Sequence, residues 1–514
     1  MRSKKAFKNF IANIIMQLVT AIIGFILPRY FLTVYGSTIN GLVSSLKQFI
    51  SYINIVEAGV GTASIVALYT PLAKHDIKEV NAILSATRIF YKKSGYIFAL
   101  LVVSLAITYP LFVNTQINYS ITFWLVIILA GSGVIEFFII GKYRVLLTAD
   151  QKSYVVSILQ TVATILNAVI SIIFMKLGFN VVIVQAVAVV VYASRSVFLV
   201  FYVNKKYPYV NLMAKPDMGA IHKKWDVLFH QIAGLIVNNT PVVILTVFSN
   251  LKEVSVYSIY YMATKAVHLI VTSFNSGLMS GFGEVIAIGD KDTLQKSYRL
   301  YEYIYYLVLA WAYTSAGLML NSFVQIYTRG VQDVNYVRPY VAILFIIVGV
   351  ANNIRIPPLT IINAAGHFGE TKYRALWEAI INLSVSVALV KPYGIIGVLL
   401  GSICSFAYRT IDFIIYTNKH IILQSSAKTL CRLINNIVLS CISIFLFIQI
   451  FKMQINNFIE WGLWSCIVGI VTLLIIVLGN SILEPDSMKE VLIRFYKINR
   501  SFKKVQHENS RLGF

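Results

Sequence analysis

Apolar runs of roughly 20 residues, separated by short polar breaks, follow one another along the whole chain, and each can cross a hydrocarbon core of about 30 Å as a helix. They are too long and too unbroken for the short alternating strands of a membrane barrel. The pattern predicts an all-α integral membrane protein with about 14 transmembrane helices. They fall near residues 10–33, 40–70, 94–113, 120–145, 154–175, 181–203, 226–248, 254–286, 302–326, 338–364, 372–390, 394–417, 431–451 and 459–481. The opening "MRSKKAFKNF" has the charge of a secretory leader. The apolar stretch after it is too long for one and lacks a clear cleavage site, so a retained first helix is expected.

Two six-span halves are expected inside this pattern. The longest polar interval, "NKKYPYVNLMAKPDMGAIHKKWD" (204–226), follows the sixth span and carries Pro208 and Pro216. On either side of it the spans answer one another. "YASRSVFLVFYVNKK" ends the sixth and "AYRTIDFIIYTNKH" the twelfth, with Arg195 as far from Tyr202 and Asn204 as Arg409 is from Tyr416 and Asn418. "KLGFNVV" likewise answers "KPYGIIG", and the second and eighth spans both finish in a Gly-x-Gly turn region. Such parallel repeats suit a transporter whose substrate site lies between the halves. The expected domains are a six-helix lobe over 1–203, a cytoplasmic linker over 204–225, a second lobe over 226–417, two additional helices over 418–482 and a tail over 483–514. In the tail, a capping box from Ser487 to Glu490 opens a basic amphipathic helix with Phe495, Ile498 and Phe502 on one stripe, fitted to an anionic membrane surface.

Composition agrees with the spans. Of 514 residues, 58% are hydrophobic and only 13% charged, about half the charged share of a soluble domain. The net charge of +23 would suit a nucleic-acid partner, but its distribution follows topology. With the N-terminus taken as cytoplasmic, the loops assigned to the outside hold only Arg29, Lys176, Lys252, Arg329, Arg338, Lys391 and Lys452. That asymmetry places both termini inside. No aromatic-basic module accompanies the charge, so no nucleic-acid partner is expected. The four cysteines have neither metal nor disulfide spacing and read as small packing residues, so no metal site is expected.

Polar side chains within the spans form stripes at helical spacing. Asn9, Asn13, Gln17 and Thr20 share a face of the first span, Gln231, Gly234 and Asn238 one of the seventh. Lys47, Ser51 and Asn54 share one in the second, Lys265, His268, Thr272 and Asn275 one in the eighth. Small polar residues also serve as glue between helices. Cations at membrane depth are costlier. Lys47, Lys265 and Arg355 have no carboxylate three or four residues away; they either pair across helices with Glu57, Glu136 or Glu378, or face a cavity with Asn352 and attract an anion. A diphosphate suits three such cations, clasped by a forked arginine and by lysine point charges. Pro357 and Pro358 directly after Arg355 predict a break in the tenth span. Arg409 has Asp412 at i+3 as a ready partner. Arg195 sits near a helix end from which it can snorkel, and Arg29 lies close to the outer surface.

Three stretches carry a resemblance: "YGSTINGLVSSLKQFISYINIVEAGVGTASIVALYTPLAKHD" (35–76), "NNTPVVILTVFSNLKEVSVYSIY" (238–260) and "INAAGHFGETKYRA" (362–375). The chain resembles the bacterial polysaccharide flippases (Wzx-like), the polysaccharide transporter branch of the multidrug/oligosaccharidyl-lipid/polysaccharide superfamily. The resemblance implies a non-enzymatic protein of the bacterial cytoplasmic membrane. It would move undecaprenyl-diphosphate-linked oligosaccharide units from the inner to the outer leaflet, by alternating access, for capsule or exopolysaccharide synthesis. A polysaccharide polymerase and glycosyltransferases are the implied partners. It also implies a cationic cavity, for which Lys47, Lys265, Arg355 and Arg29 are the candidates here. Relatives often carry an acid where this chain has Pro241, which leaves Glu57, Glu136 and Glu378 as candidates for coupling to Na+ or H+; no other cofactor is expected. Two alternatives stand beside this reading. A cation-coupled drug antiporter would favour carboxylates in its site. A membrane-embedded polymerase would need a catalytic acid on a sizeable outer loop, and the outer loops here are short.

Overall fold

The structure, a computed structural model, describes residues 2–57, 59–113, 117–219, 224–273, 275, 278–451 and 453–494, with side chains for all of these except 2–4, 6, 224–233, 238, 280 and 368. Among the described residues all regular structure is helical. Among the described residues twelve helices are long and apolar enough to cross a membrane. The first of them runs from Phe7 to Lys74 and holds two of the expected spans, and Asn239–Phe248 lies in the expected seventh. Every predicted span therefore has a helical counterpart, and the chain is a multi-pass membrane protein.

The chain forms two compact units. The first comprises Met1–Met262, Thr328–Tyr336 and Ala379–Gly401. Its helices are α1 (Arg2–Ile53), α2 (Val60–Lys74), α3 (Ile77–Phe112), α4 (Tyr119–Ile135), α5 (Gly141–Ala149), α6 (Ser153–Lys176), α7 (Val181–Lys206), α8 (Lys224–Phe248), the start of α9 (Leu251–Ser273), and the second part of the helix Phe368–Tyr393 with the first residues of the helix Ile395–Thr417. Loop polar residues open several of them as N-caps: the side chains of Asp76, Asn118 and Asn180 accept from the backbone N–H of Glu79, Ser120 and Ile183. Gly36, at φ 76°, turns α1 where the first and second spans were expected to meet. The second span is itself interrupted: α1 passes into a 3-10 turn, Asn54–Glu57, before α2 begins behind left-handed Gly59. The turn thus precedes α2, whereas the sequence pattern placed it at the end of the span. Inside the unit Phe98 packs on Phe137 with ring centroids 5.0 Å apart, among Leu125, Val126 and Val102.

The second unit comprises Ala263–Tyr327, Val337–Glu378 and Ser402–Phe514. It holds the rest of α9, α10 (Leu278–Ile288), α11 (Lys291–Tyr327), α12 (Pro339–Ile354), α13 (Ile356–Ala365), the first part of α14 (Phe368–Tyr393), most of α15 (Ile395–Thr417), α16 (Ala427–Ile450) and α17 (Phe458–Leu483). Its core is a tyrosine column on α11, with Tyr298, Tyr305, Tyr306 and Tyr313 all buried. The α17 helix docks on α11, where the Trp311 indole donates to the Gly469 carbonyl at 2.8 Å and Ser315 meets Thr472 at 2.8 Å. The helix expected to start at the Ser487–Glu490 capping box starts at residue 485 instead. Pro485 suits a first helical position, and the Ser487 hydroxyl is turned to Glu484 at 3.1 Å. The stripe residues Phe495, Ile498 and Phe502 lie outside the described residues. Large apolar side chains such as Leu100, Phe112, Val190, Phe198 and Ile459 are exposed on the helices, as lipid-facing surface requires.

Candidate functional site

In the first unit the interrupted second span brings Ser51, Asn54 and Glu57 to one wall of a cavity of about 660 Å³. Thr62, Tyr91, Arg144 and Thr148 complete its polar lining. Glu57 accepts from the Tyr91 hydroxyl at 2.7 Å and pairs with Arg144. The same guanidinium reaches Glu136 at 3.2 Å. Glu136 opens a π-helical turn, Glu136–Ile140, that separates α4 from α5. Its other oxygen lies 3.4 Å from Arg195, which also donates to Gln160 and lies over the Tyr192 ring. Arg195 does not snorkel: its side chain is 6% exposed and held by these groups. Two arginines and two carboxylates therefore close a neutral network, which removes most of the cost of burying each charge alone.

Lys47 lies one turn before Ser51 on α1. Its side chain is accessible although crowded by surrounding protein. Among the described residues it has neither a hydrogen-bond nor an ion-pair partner. Asn13 and Gln17 bond to each other at 3.5 Å on the exposed face of α1. Asn9, from the same stripe, instead accepts from the Tyr154 N–H and donates to the Gln151 carbonyl, tying α1 to the turn before α6. Arg29 is half-buried near Gly36. The side chains of Gln231 and Asn238 lie outside the described residues.

Also in the first unit, a buried hydrogen-bonded lattice surrounds the turn of α1. Asp333 accepts from both the backbone N–H and the hydroxyl of Ser37, at 2.9 and 2.5 Å. The Tyr336 hydroxyl meets Ser37 at 2.6 Å and Ser255 at 2.8 Å, and the Asn40 amide donates to Ser255 at 2.7 Å.

In the second unit the tenth span breaks at Arg355, between α12 and α13, as the two following prolines predict. Arg355 donates to the Asn352 backbone and side-chain oxygens, lies over the Phe406 ring and pairs with Glu378. Its side chain is only 14% exposed. Of the two sequence readings for this arginine, cross-helix pairing is the one the geometry contains. Arg409 lies 3.5 Å from the second Glu378 oxygen and 3.0 Å from Asp412, which also meets Arg374 at 2.6 Å. The His268 ring shares a 3.0 Å hydrogen bond with Asn353 and lies within electrostatic reach of both Arg355 and Lys265. Lys265 is exposed. Thr272 bonds back to the His268 carbonyl and adds no contact to the cluster beyond its own helix.

Sequence reasoning missed Arg144. At the edge of the expected 120–145 span it passed for a loop charge, and its partner Glu136 is eight residues away rather than three or four. Two helical turns put both on one face, so a search at i+7 and i+8 would have found the pair.

No protein-family model and no curated protein sequence matches the chain. Solved structures do. The lipid II flippase MurJ, in an inward closed conformation, superposes with a TM-score of 0.64 at 13% identity, covering 93% of this chain and 100% of that one. An inward-facing multidrug resistance MATE family transporter of the MOP superfamily gives 0.61 at 11% identity, covering 80% and 98%. The outward-facing conformation of such a transporter gives 0.54 at 14% identity, covering 82% and 96%. The fold is that of these flippases and transporters.

Proposed function

We propose that this protein is a lipid flippase of the bacterial cytoplasmic membrane, with both termini inside. It would carry undecaprenyl-diphosphate-linked oligosaccharide units to the outer leaflet, where a polysaccharide polymerase takes them up. The observation that carries this reading is how the mid-span charges are allotted. Glu57, Glu136 and Glu378 are each engaged by arginine, whereas Lys47 has no partner among the described residues. What this leaves on offer is cationic, which suits a diphosphate. A cationic drug would need a carboxylate that is not already held. Of the three acids, Glu57 lines the cavity, and coupling to Na+ or H+ would run through it once Arg144 parts from it.

The test is to deplete the protein in its host and fractionate lipid-linked sugars by leaflet. Accumulation of complete units on the cytoplasmic face supports the reading. Accumulation outside, or of incomplete units, points to polymerisation or synthesis. Unchanged lipid-linked sugars favour the small-molecule antiporter.

A further inference from the structure

The two units contain one arrangement twice. In the register that aligns Arg195 with Arg409, the fourth span corresponds to the tenth, and Arg355 stands within one helical turn of the position equivalent to Arg144. Both spans are interrupted there, by the π-helical turn Glu136–Ile140 in one and by the break at Arg355 in the other. At each interruption a carboxylate whose side chain is at most 15% exposed lies between two arginines, one from the interrupted span and one from the last span of its half. Glu136 lies between Arg144 and Arg195, and Glu378 between Arg355 and Arg409.

The likeness extends to detail. Each last-span arginine lies 4.0 Å over an aromatic ring about one turn away, Tyr192 or Phe413, and each has a buried Nε without a hydrogen bond. Each interrupted span also approaches the preceding one through a glycine set against a tyrosine ring. A Cβ on Gly141 would lie 2.2 Å from Tyr91, and one on Gly349 2.1 Å from Tyr313. The acids come from non-equivalent elements, the π-helical turn after α4 and helix α14, so the arrangement is not the copy of a single local sequence.

We propose that Glu136 and Glu378 are duplicated positioning residues, each clamping one interrupted span in a fixed bend through its two arginines. Arg355 and Arg144 then serve the clamps and do not contact the transported lipid. Parting an acid from both of its arginines would leave it an uncompensated charge in largely apolar surroundings, so the bend is held while the halves work. The physical claim is independent of which substrate is carried.

The test is charge-neutral rescue in the full chain, with the four cysteines replaced by serine. Arg355→Gln and Glu378→Gln are made singly and together, as are Arg195→Gln and Glu136→Gln. Two readouts are taken: cytoplasmic-leaflet accumulation of lipid-linked sugar, and the maleimide labelling rate of an introduced cysteine at Thr148 or Ala365, which needs no substrate. Each single variant is expected to lower export about tenfold or more and to shift labelling about threefold or more, and each double to return both to within about threefold of wild type. Glu378→Asp and Glu136→Asp, which keep a carboxylate, should fall between single and double, and they decide the matter if the glutamine singles fail to insert.

A double that inserts normally but stays as inactive as Arg355→Gln overturns the assignment, because that arginine would then be touching substrate. So would singles that behave as wild type. Labelling that follows the clamp while sugar accumulation never changes leaves the clamp standing and refutes the substrate reading alone.

Discussion

Arg355 donates to Glu378 from the break in the tenth span. That relationship answers why an arginine sits at membrane depth beside two prolines. Pro357 has no N–H to give the Asn353 carbonyl and its ring crowds that group, so the helix ends at Ile354, where the Arg355 guanidinium donates to the Asn352 carbonyl as well as to the acid.

Lys47→Ala and Lys265→Ala are each expected to lower export about tenfold or more, the loss of roughly one charge-assisted contact, while the protein still inserts. Export assays on membranes with matched protein levels check this. Normal export in both variants would remove the lysines from the site.

Glu136→Gln should be the more damaging of two carboxylate changes in the first unit. It leaves Arg195, 6% exposed, with only neutral partners, a loss of about 3–5 kcal/mol for a broken buried pair. Glu57→Gln should cost about 1 kcal/mol or less, because Arg144 is 39% exposed and keeps Glu136. Thermal melting of the two variants in detergent gives the order; the reverse order would contradict the network as described.

Asp333→Ala removes both acceptors of Ser37 at the turn of α1. The expected loss is about 1–2 kcal/mol, in the range of a helix N-cap. Asp333→Asn keeps one acceptor oxygen and should lose about half of that. Melting temperatures of the pair, with labelling of a Ser37→Cys variant, check the contact.

Outside the spans, Asp150 ties the start of α1 to the end of α7. It meets Lys5 at 3.1 Å, Lys152 at 2.7 Å and the donating Tyr207 hydroxyl at 2.6 Å. Burial pushes its carboxyl up, but hydrogen bonds from Lys152, Tyr207 and Lys5 outweigh that and hold it below the ordinary aspartate value. A folded value below the unfolded one, about 3.9, means that the stabilisation is complete above that pH and is lost as pH falls through the folded value. Wild-type protein should therefore lose melting temperature below about pH 4 in a way that Asp150→Asn does not. Equal acid profiles would show that the tie carries no such linkage.

Much of the architecture was legible because lipid imposes one rule, a long apolar helix, on every span. The breaks at Gly36 and Arg355 were also legible, since glycine and two adjacent prolines act locally. The π-helical turn at Glu136 was not, because "GVIEFFIIGKY" holds no proline that would break a helix. At that turn one acid meets two arginines, Arg144 and Arg195. The candidate residues divided in the same way. Ser51, Asn54 and Glu57 share a helix face and a cavity wall, whereas the partners of Arg195 and Arg355 come from other helices, which spacing along one helix does not reveal.

The most direct measurement is transbilayer movement in proteoliposomes containing the purified protein and a fluorescent undecaprenyl-diphosphate-linked sugar, read by a membrane-impermeant quencher. Transfer between leaflets that depends on the protein and falls in Lys47→Ala and Lys265→Ala is the predicted result. A fluorescent lipid that stays in its leaflet, with the protein correctly inserted and any ion gradient applied, would contradict the account.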